Sequence, residues 1–152
     1  MAKYRLDAID ELPHKPTREI NFNESVYVNG WDAEKKCGGW MRIGNRVNEG
    51  HAEMQLCFYL PNGNIACQFL KPSISSNEKF SANGLEYEVV KPFKQVRMNY
   101  NGPMFVVVDP DQLREPQAFF RDSVSVNANI SFELSGNSPL YGGEPIDEKI
   151  ET

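Results

Sequence analysis

Along residues 51–60, Ala52, Met54, Leu56, Phe58 and Leu60 alternate without a break with His51, Glu53, Gln55, Cys57 and Tyr59. A period of two belongs to an extended strand with one buried face, because successive side chains leave the backbone in opposite directions. The chain must therefore build a sheet and find something to cover its apolar side. The following Pro61-Asn62-Gly63 reads as a turn into a second strand over 64–70. With Asn62 and Gly63 as the central pair of a type I′ turn, Leu60 faces Ile65, Phe58 faces Cys67 and Leu56 faces Phe69. A slip of one residue would set Leu60 against Asn64 and Leu56 against Gln68, so the hydrophobic pattern favours the first register. That register puts Cys57 opposite Gln68, away from Cys67. The cysteines Cys37, Cys57 and Cys67 are accordingly read as reduced and structural.

The same reading extends along the chain. Strands are expected over 24–31, where Val26 and Val28 alternate with Tyr27 and Asn29, and over 38–43, which opens on Gly38-Gly39. Glycines inside a strand mark a bend or a close approach to the backbone. Further strands are expected over 85–90 and 93–100, and Asn101-Gly102 predicts a second hairpin, with Tyr100 facing Pro103, Met98 facing Phe105 and Val96 facing Val107. Residues 109–116 read as a surface loop with a helical turn at 112–115. The cleanest alternation runs from Val124 to Leu134 through Val126, Ala128, Ile130 and Phe132. About eight strands without a long amphipathic helix predict an all-β fold, an antiparallel barrel or sandwich. Residues 1–23 read as an N-terminal arm with a helical turn or two within 3–12, residues 24–135 as the β-domain, and the Gly-, Pro- and acid-rich 136–152 as a linker or tail.

A chain of 152 residues fits one domain. Its net charge of −5, with scattered Lys and Arg, argues against nucleic acid or an anionic membrane as partner. No apolar run approaches the roughly 18 residues of a membrane span, and no secretory leader is legible, so a cytoplasmic protein is expected.

No nucleophile elbow, phosphate-binding loop or His-Glu-x-x-His is present, and neither a metal nor a cofactor is expected. What remains is a constellation of Trp40, Arg42, Arg46, Glu49, His51 and Glu53. Alternation sets His51, Glu53 and Gln55 on one strand face and Trp40 and Arg42 on one face of the preceding strand. In an apolar cavity, Glu49, His51 and Glu53 would be candidate acid and base groups, with Trp40, Arg42, Gln55 and Asn127 as candidate ligand contacts. On a solvated face the same residues are ordinary surface polarity, and Arg42 with Glu53 a weak cross-strand pair. Glu86 and Glu88 read as solvated, and His14, between two prolines, receives no role.

The segments Val28-Asn-Gly-Trp, Gly38-Gly-Trp-Met-Arg-Ile-Gly-Asn-Arg, Asn48-Glu-Gly-His-Ala-Glu, Leu60-Pro-Asn-Gly, Gly84-Leu-Glu-Tyr-Glu-Val-Val, Met98-Asn-Tyr-Asn-Gly-Pro, Val126-Asn-Ala-Asn-Ile-Ser-Phe and Pro139-Leu-Tyr-Gly-Gly resemble the N-terminal half of the hydroxyneurosporene synthase-like proteins, the carotenoid 1,2-hydratase and AttH-like family. The resemblance spans residues 24–143 and implies a lipocalin-like barrel, the first of two in tandem, in a family whose members hydrate, dehydrate or cyclise terpenoid and polyketide substrates. The family's second half, with its Asp-x-Ser-Trp-Gly-x-Arg segment, lies outside this sequence. A fragment, a single-domain relative, or one half of a homodimer is therefore expected. The resemblance implies a domain binding an apolar small molecule: a terpenoid, a polyketide or a lipid. The alternatives are a hydratase, isomerase or cyclase using Glu49, His51 or Glu53, and a β-domain that pairs with a second copy or another β-domain.

Overall fold

The computed structural model describes residues 4–5, 7–136 and 144–145. In chain order the elements are β1 (Tyr4–Arg5), a 3-10 turn (Ala8–Glu11), β2 (Glu24–Asp32), β3 (Cys37–Arg46), β4 (His51–Tyr59), β5 (Ile65–Leu70), β6 (Phe80–Ala82), β7 (Leu85–Lys91), β8 (Gln95–Val107), a 3-10 turn (Pro110–Arg114), helix α1 (Pro116–Asp122), β9 (Val124–Ser135) and β10 (Glu144–Pro145). Every pairing between these strands is antiparallel, as the alternation requires. The protein is all-β. The tail expected over 136–152 lies outside the described residues except for Gly136 and the β10 dipeptide, which pairs with β1.

Strands β2 to β5 form a meander. Strand β8 then serves both halves of the sheet: its first half pairs with β7, Phe105–Val107 pair with Cys67–Ile65 of β5, and β9 follows its other edge almost throughout. The sheet folds over along β8, so that β2 to β5 cover β6, β7 and β9 across a common core. Met41, Ile43, Met54, Leu56, Leu85, Met98, Tyr100 and Met104 fill that core, none more than 1% exposed. Among the described residues the sheet does not close, because β2 pairs only with β3 and β9 only with β8. The architecture is an open barrel flattened towards a sandwich.

Two turn readings are corrected. Asn101-Gly102 is not a turn; both residues lie inside β8, opposite Asn129 and Ala128. Gly102 is needed there for a different reason: a Cβ would lie 2.6 Å from the Tyr100 hydroxyl. That hydroxyl donates to the Pro103 carbonyl at 2.6 Å, and Gln68 Nε2 donates to the same oxygen at 2.9 Å. The type I′ turn is instead Asn83-Gly84 between β6 and β7, with both residues at positive φ, 43° and 88°.

The β4–β5 register is the one-residue alternative that the hydrophobic pattern disfavoured. Tyr59 faces Ile65, Phe58 faces Ala66, Cys57 faces Cys67 and Leu56 faces Gln68. The reason is turn chemistry. Leu60 N–H donates to Asn64 O at 2.9 Å and Gly63 N–H to Leu60 O at 3.0 Å, with Gly63 left-handed at φ 84° and Asn62 not. Proline in the loop favours this type I turn with a glycine bulge over the two-residue type I′ turn.

On the outer face of the meander, Cys57, Ile65, Cys67 and Val107 form a second apolar cluster under Phe119 of α1. Phe105 meets Phe119 edge to face at 5.8 Å. All three cysteines are free thiols.

Candidate functional site

The apolar row of β9 shows where the core is incompletely covered. Val124, Val126 and Leu134 are exposed and Ala128, Ile130 and Phe132 only half-buried, although this strand alternates more cleanly than any other. The cause is the unclosed sheet: among the described residues, no strand bridges the gap from β2 to β9.

An apolar cleft of about 710 Å³ occupies that gap. Phe58, Ala66, Met104, Val106, Ile130 and Phe132 form its walls. Phe58 and Phe132, from opposite layers, meet edge to face at 5.5 Å. Small residues make this approach possible. Gly30 and Gly39 pair side by side with Phe58 next in the row, and a Cβ on Gly39 would fall 2.7 Å from Phe58 Cα. Of the glycines expected at a bend or close approach, Gly39 faces the interior wall and Gly38 the opposite face, beside Trp31. At the mouth, Asp32 pairs with Lys35 at 3.2 Å; the Lys35 backbone and ammonium hold the Asp32 carboxyl below its usual range. A second opening of about 610 Å³, lined by Val26, Val28, Tyr87, Val96 and Leu134, adjoins the first at Asn29 and Leu134. The two form a slot along the β2 edge.

The expected site residues lie elsewhere. Alternation does group them, for Arg42 faces Gln55, Trp40 faces Cys57 and Arg46 faces His51. Their common face is the outer one, since Ala52, Met54, Leu56 and Phe58 take the core side. Arg42 lies 3.5 Å from Glu53, and Lys71 lies 3.8 Å from the same carboxylate. Arg46 holds Glu49 at 2.7 Å, and this hydrogen bond draws the Glu49 carboxyl below its usual range. His51 Nε2 is buried without a hydrogen-bond partner among the described residues. Asn127 is exposed, on β9 opposite Pro103. The constellation is an ion-paired surface ladder; neither Glu49, His51 and Glu53 nor Arg42, Gln55 and Asn127 line the apolar cleft. Among the described residues, no group of three or more His, Cys, Asp or Glu is placed to hold a metal.

A polar network absent from the sequence reading joins the arm to the sheet. Buried Asn45 donates through Nδ2 to Asn77 Oδ1 at 2.9 Å and to Lys79 O at 2.8 Å. Asn77 Nδ2 donates to His14 O and to Glu24 Oε2, each at 2.8 Å. Glu24 also bonds the His14 backbone N–H and its ring Nδ1, which raises the His14 pKa above its ordinary value. No local pattern announces these partners, because they are 10 to 63 positions apart.

No helix among the described residues is long and apolar enough to cross a membrane. No curated protein and no solved structure matches the chain. Residues 7–149 match the model of a family described as a domain of unknown function, DUF7064. The chain belongs to that family.

Proposed function

We propose that this protein is a lipocalin-like binding domain for an apolar small molecule of the terpenoid, polyketide or lipid class, held in the cleft between β2 and β9. The observation that carries the reading is the incomplete burial of an otherwise apolar β9 face over a 710 Å³ cleft. That volume lies within the range of about 300 to 1,000 Å³ usual for small-molecule sites. A ligand seated there would cover the part of Ile130 and Phe132 that the protein leaves in water. Cytoplasmic placement fits the same reading. Acid and base chemistry receives no support from the geometry, because Glu49, His51 and Glu53 stand on the other side of the sheet.

Among the described residues the outer edge of β2 is unpaired, which favours a second reading, pairing with a second copy or another β-domain, since such an edge offers a row of backbone donors and acceptors. Titration with an environment-sensitive apolar fluorophore, followed by displacement with terpenoids and fatty acids, tests the first reading. Saturable binding that Ala128→Trp abolishes is expected; a folded, monodisperse sample that binds no probe overturns it. Light scattering tests the second, for which a concentration-independent monomer is the contrary result.

A further inference from the structure

The outer face of β2 to β4 carries an aromatic group that the ion-pair ladder does not explain; Trp31 and Tyr59 also border the apolar cleft, and Tyr27 the opening beside it. Tyr27, Trp31 and Tyr59 are 56%, 62% and 48% exposed, and Tyr27 stacks on half-buried Trp40 at 6.0 Å with the rings 27° apart. Cross-strand register brings the four together. Tyr27, Asn29 and Trp31 share one face of β2; Asn29 faces Trp40, and Trp31 faces Gly38, which in turn faces Tyr59. Gly38 has no side chain to separate its neighbours, and a Cβ there would lie 2.9 Å from the Trp31 ring. The aromatics surround a shallow depression of about 340 Å³ floored by Asn29, Gly30 and Gly39.

We infer that this depression binds a neutral carbohydrate, with pyranose rings stacked on Tyr27, Trp31 and Tyr59. Single exposed aromatics are common on protein surfaces, but a contiguous group of them on a sheet face marks a recognition surface. The chemistry of the group selects the ligand. Its exposed large side chains are Trp and Tyr, each a flat apolar face with a polar edge, and no aliphatic side chain lines the depression. A lipid or protein patch would add Leu, Ile or Val. No ionised side chain lines it either, in a chain of net charge −5 whose neighbouring row pairs Arg42 with Glu53 and Lys71 with the same carboxylate. An uncharged ligand matches that neutrality; a phosphate or an ammonium finds no counter-charge. A sugar ring offers C–H bonds on its face for the aromatics and hydroxyls at its edge for the Asn29 amide. Because the rings stand on paired strands, the platform is built before the ligand arrives.

Affinity electrophoresis in native gels containing hydroxyethylcellulose, xylan, galactomannan or glycogen tests the inference. Retardation by at least one polysaccharide is expected, with the apparent Kd rising roughly tenfold or more in Tyr27→Ala and in Trp31→Ala and restored by Tyr27→Phe. Ala128 lines the cleft and not the depression, so Ala128→Trp, which abolishes apolar-fluorophore binding, leaves retardation unchanged, and the two readings fail separately. Circular dichroism confirms that each variant folds. A wild-type protein retarded by none of the four overturns the inference. So does one in which Tyr27→Ala abolishes self-association or binding to phosphatidylcholine vesicles but not retardation.

Discussion

Phe58 and Phe132 meet edge to face with ring centroids 5.5 Å apart, although their strands, β4 and β9, share no hydrogen bonds. This contact joins the two layers beside the cleft where the sheet is open. Phe58 is 7% exposed and packed in the core, so Phe58→Ala should cost about 3 kcal/mol or more in urea denaturation. Half-buried Phe132→Ala should cost less. A double-mutant cycle should give a coupling of about 1 kcal/mol; a coupling of zero would mean that the rings do not hold the layers together.

Two glycines with left-handed backbone should respond differently to alanine. Gly63 has φ 84° and open space where a Cβ would stand, so Gly63→Ala should cost only the conformational strain of about 1 kcal/mol. Gly84 has φ 88°, and its Cβ would lie 2.1 Å from Asn101 O. Gly84→Ala should therefore lower the denaturation midpoint far more than Gly63→Ala, and equal losses would contradict the β6–β7 turn geometry.

His14 should make arm docking sensitive to pH. Its hydrogen bond to Glu24, helped by the charges of Glu24 and Asp10, raises its folded-state pKa above the ordinary 6.5. A raised pKa means that the folded state binds the proton more tightly than the unfolded chain. The resulting stabilisation is complete below pH 6.5 and is lost as pH rises through the folded-state value. Thermal unfolding of the wild type should thus lose stability across that window relative to His14→Gln, and an NMR titration of the His14 ring should read a pKa above 6.5.

The thiols should divide by accessibility. Cys67 is fully buried and its thiol is pushed up to about 11 by burial and by neighbouring Cys57, whose own thiol is raised by burial. Cys37 is only half-buried. Since the thiolate is the reacting form, iodoacetamide at mild alkaline pH should label Cys37 long before the other two, as peptide mass spectrometry would show.

The outer ladder should be nearly silent. Arg42 and Glu53 are each about a quarter exposed, and solvent screens their pairing. Arg42→Ala and Glu53→Gln should each shift stability by less than about 1 kcal/mol and leave apolar-fluorophore binding unaltered. Loss of binding in either variant would move the site to the outer face.

Strand identity was legible in the residues themselves. Alternation at 51–60 and 124–134 is a local consequence of pleating, and it also placed His51, Glu53 and Gln55 on one face without any tertiary information. Which face is interior was not local, because polar alternates such as Arg42 and Glu53 can line a cavity or meet water equally well. Turn residues were ambiguous for a similar reason. Asn-Gly occurs at Asn29-Gly30, Asn62-Gly63, Asn83-Gly84 and Asn101-Gly102, and the fold uses these as a segment of β2, a bulged turn, a type I′ turn and a segment of β8 over which Tyr100 packs. At Asn101-Gly102 the deciding partners come from elsewhere in the fold: β9 pairs with both residues, and Gln68 of β5 donates to the Pro103 oxygen that Tyr100 also holds. The sequence by itself determined an antiparallel sheet with one apolar face, since side-chain period follows from backbone geometry. Only the tertiary structure decided that the sheet folds over along β8 and stays open between β2 and β9, because closure depends on backbone pairing between edges that no local pattern records.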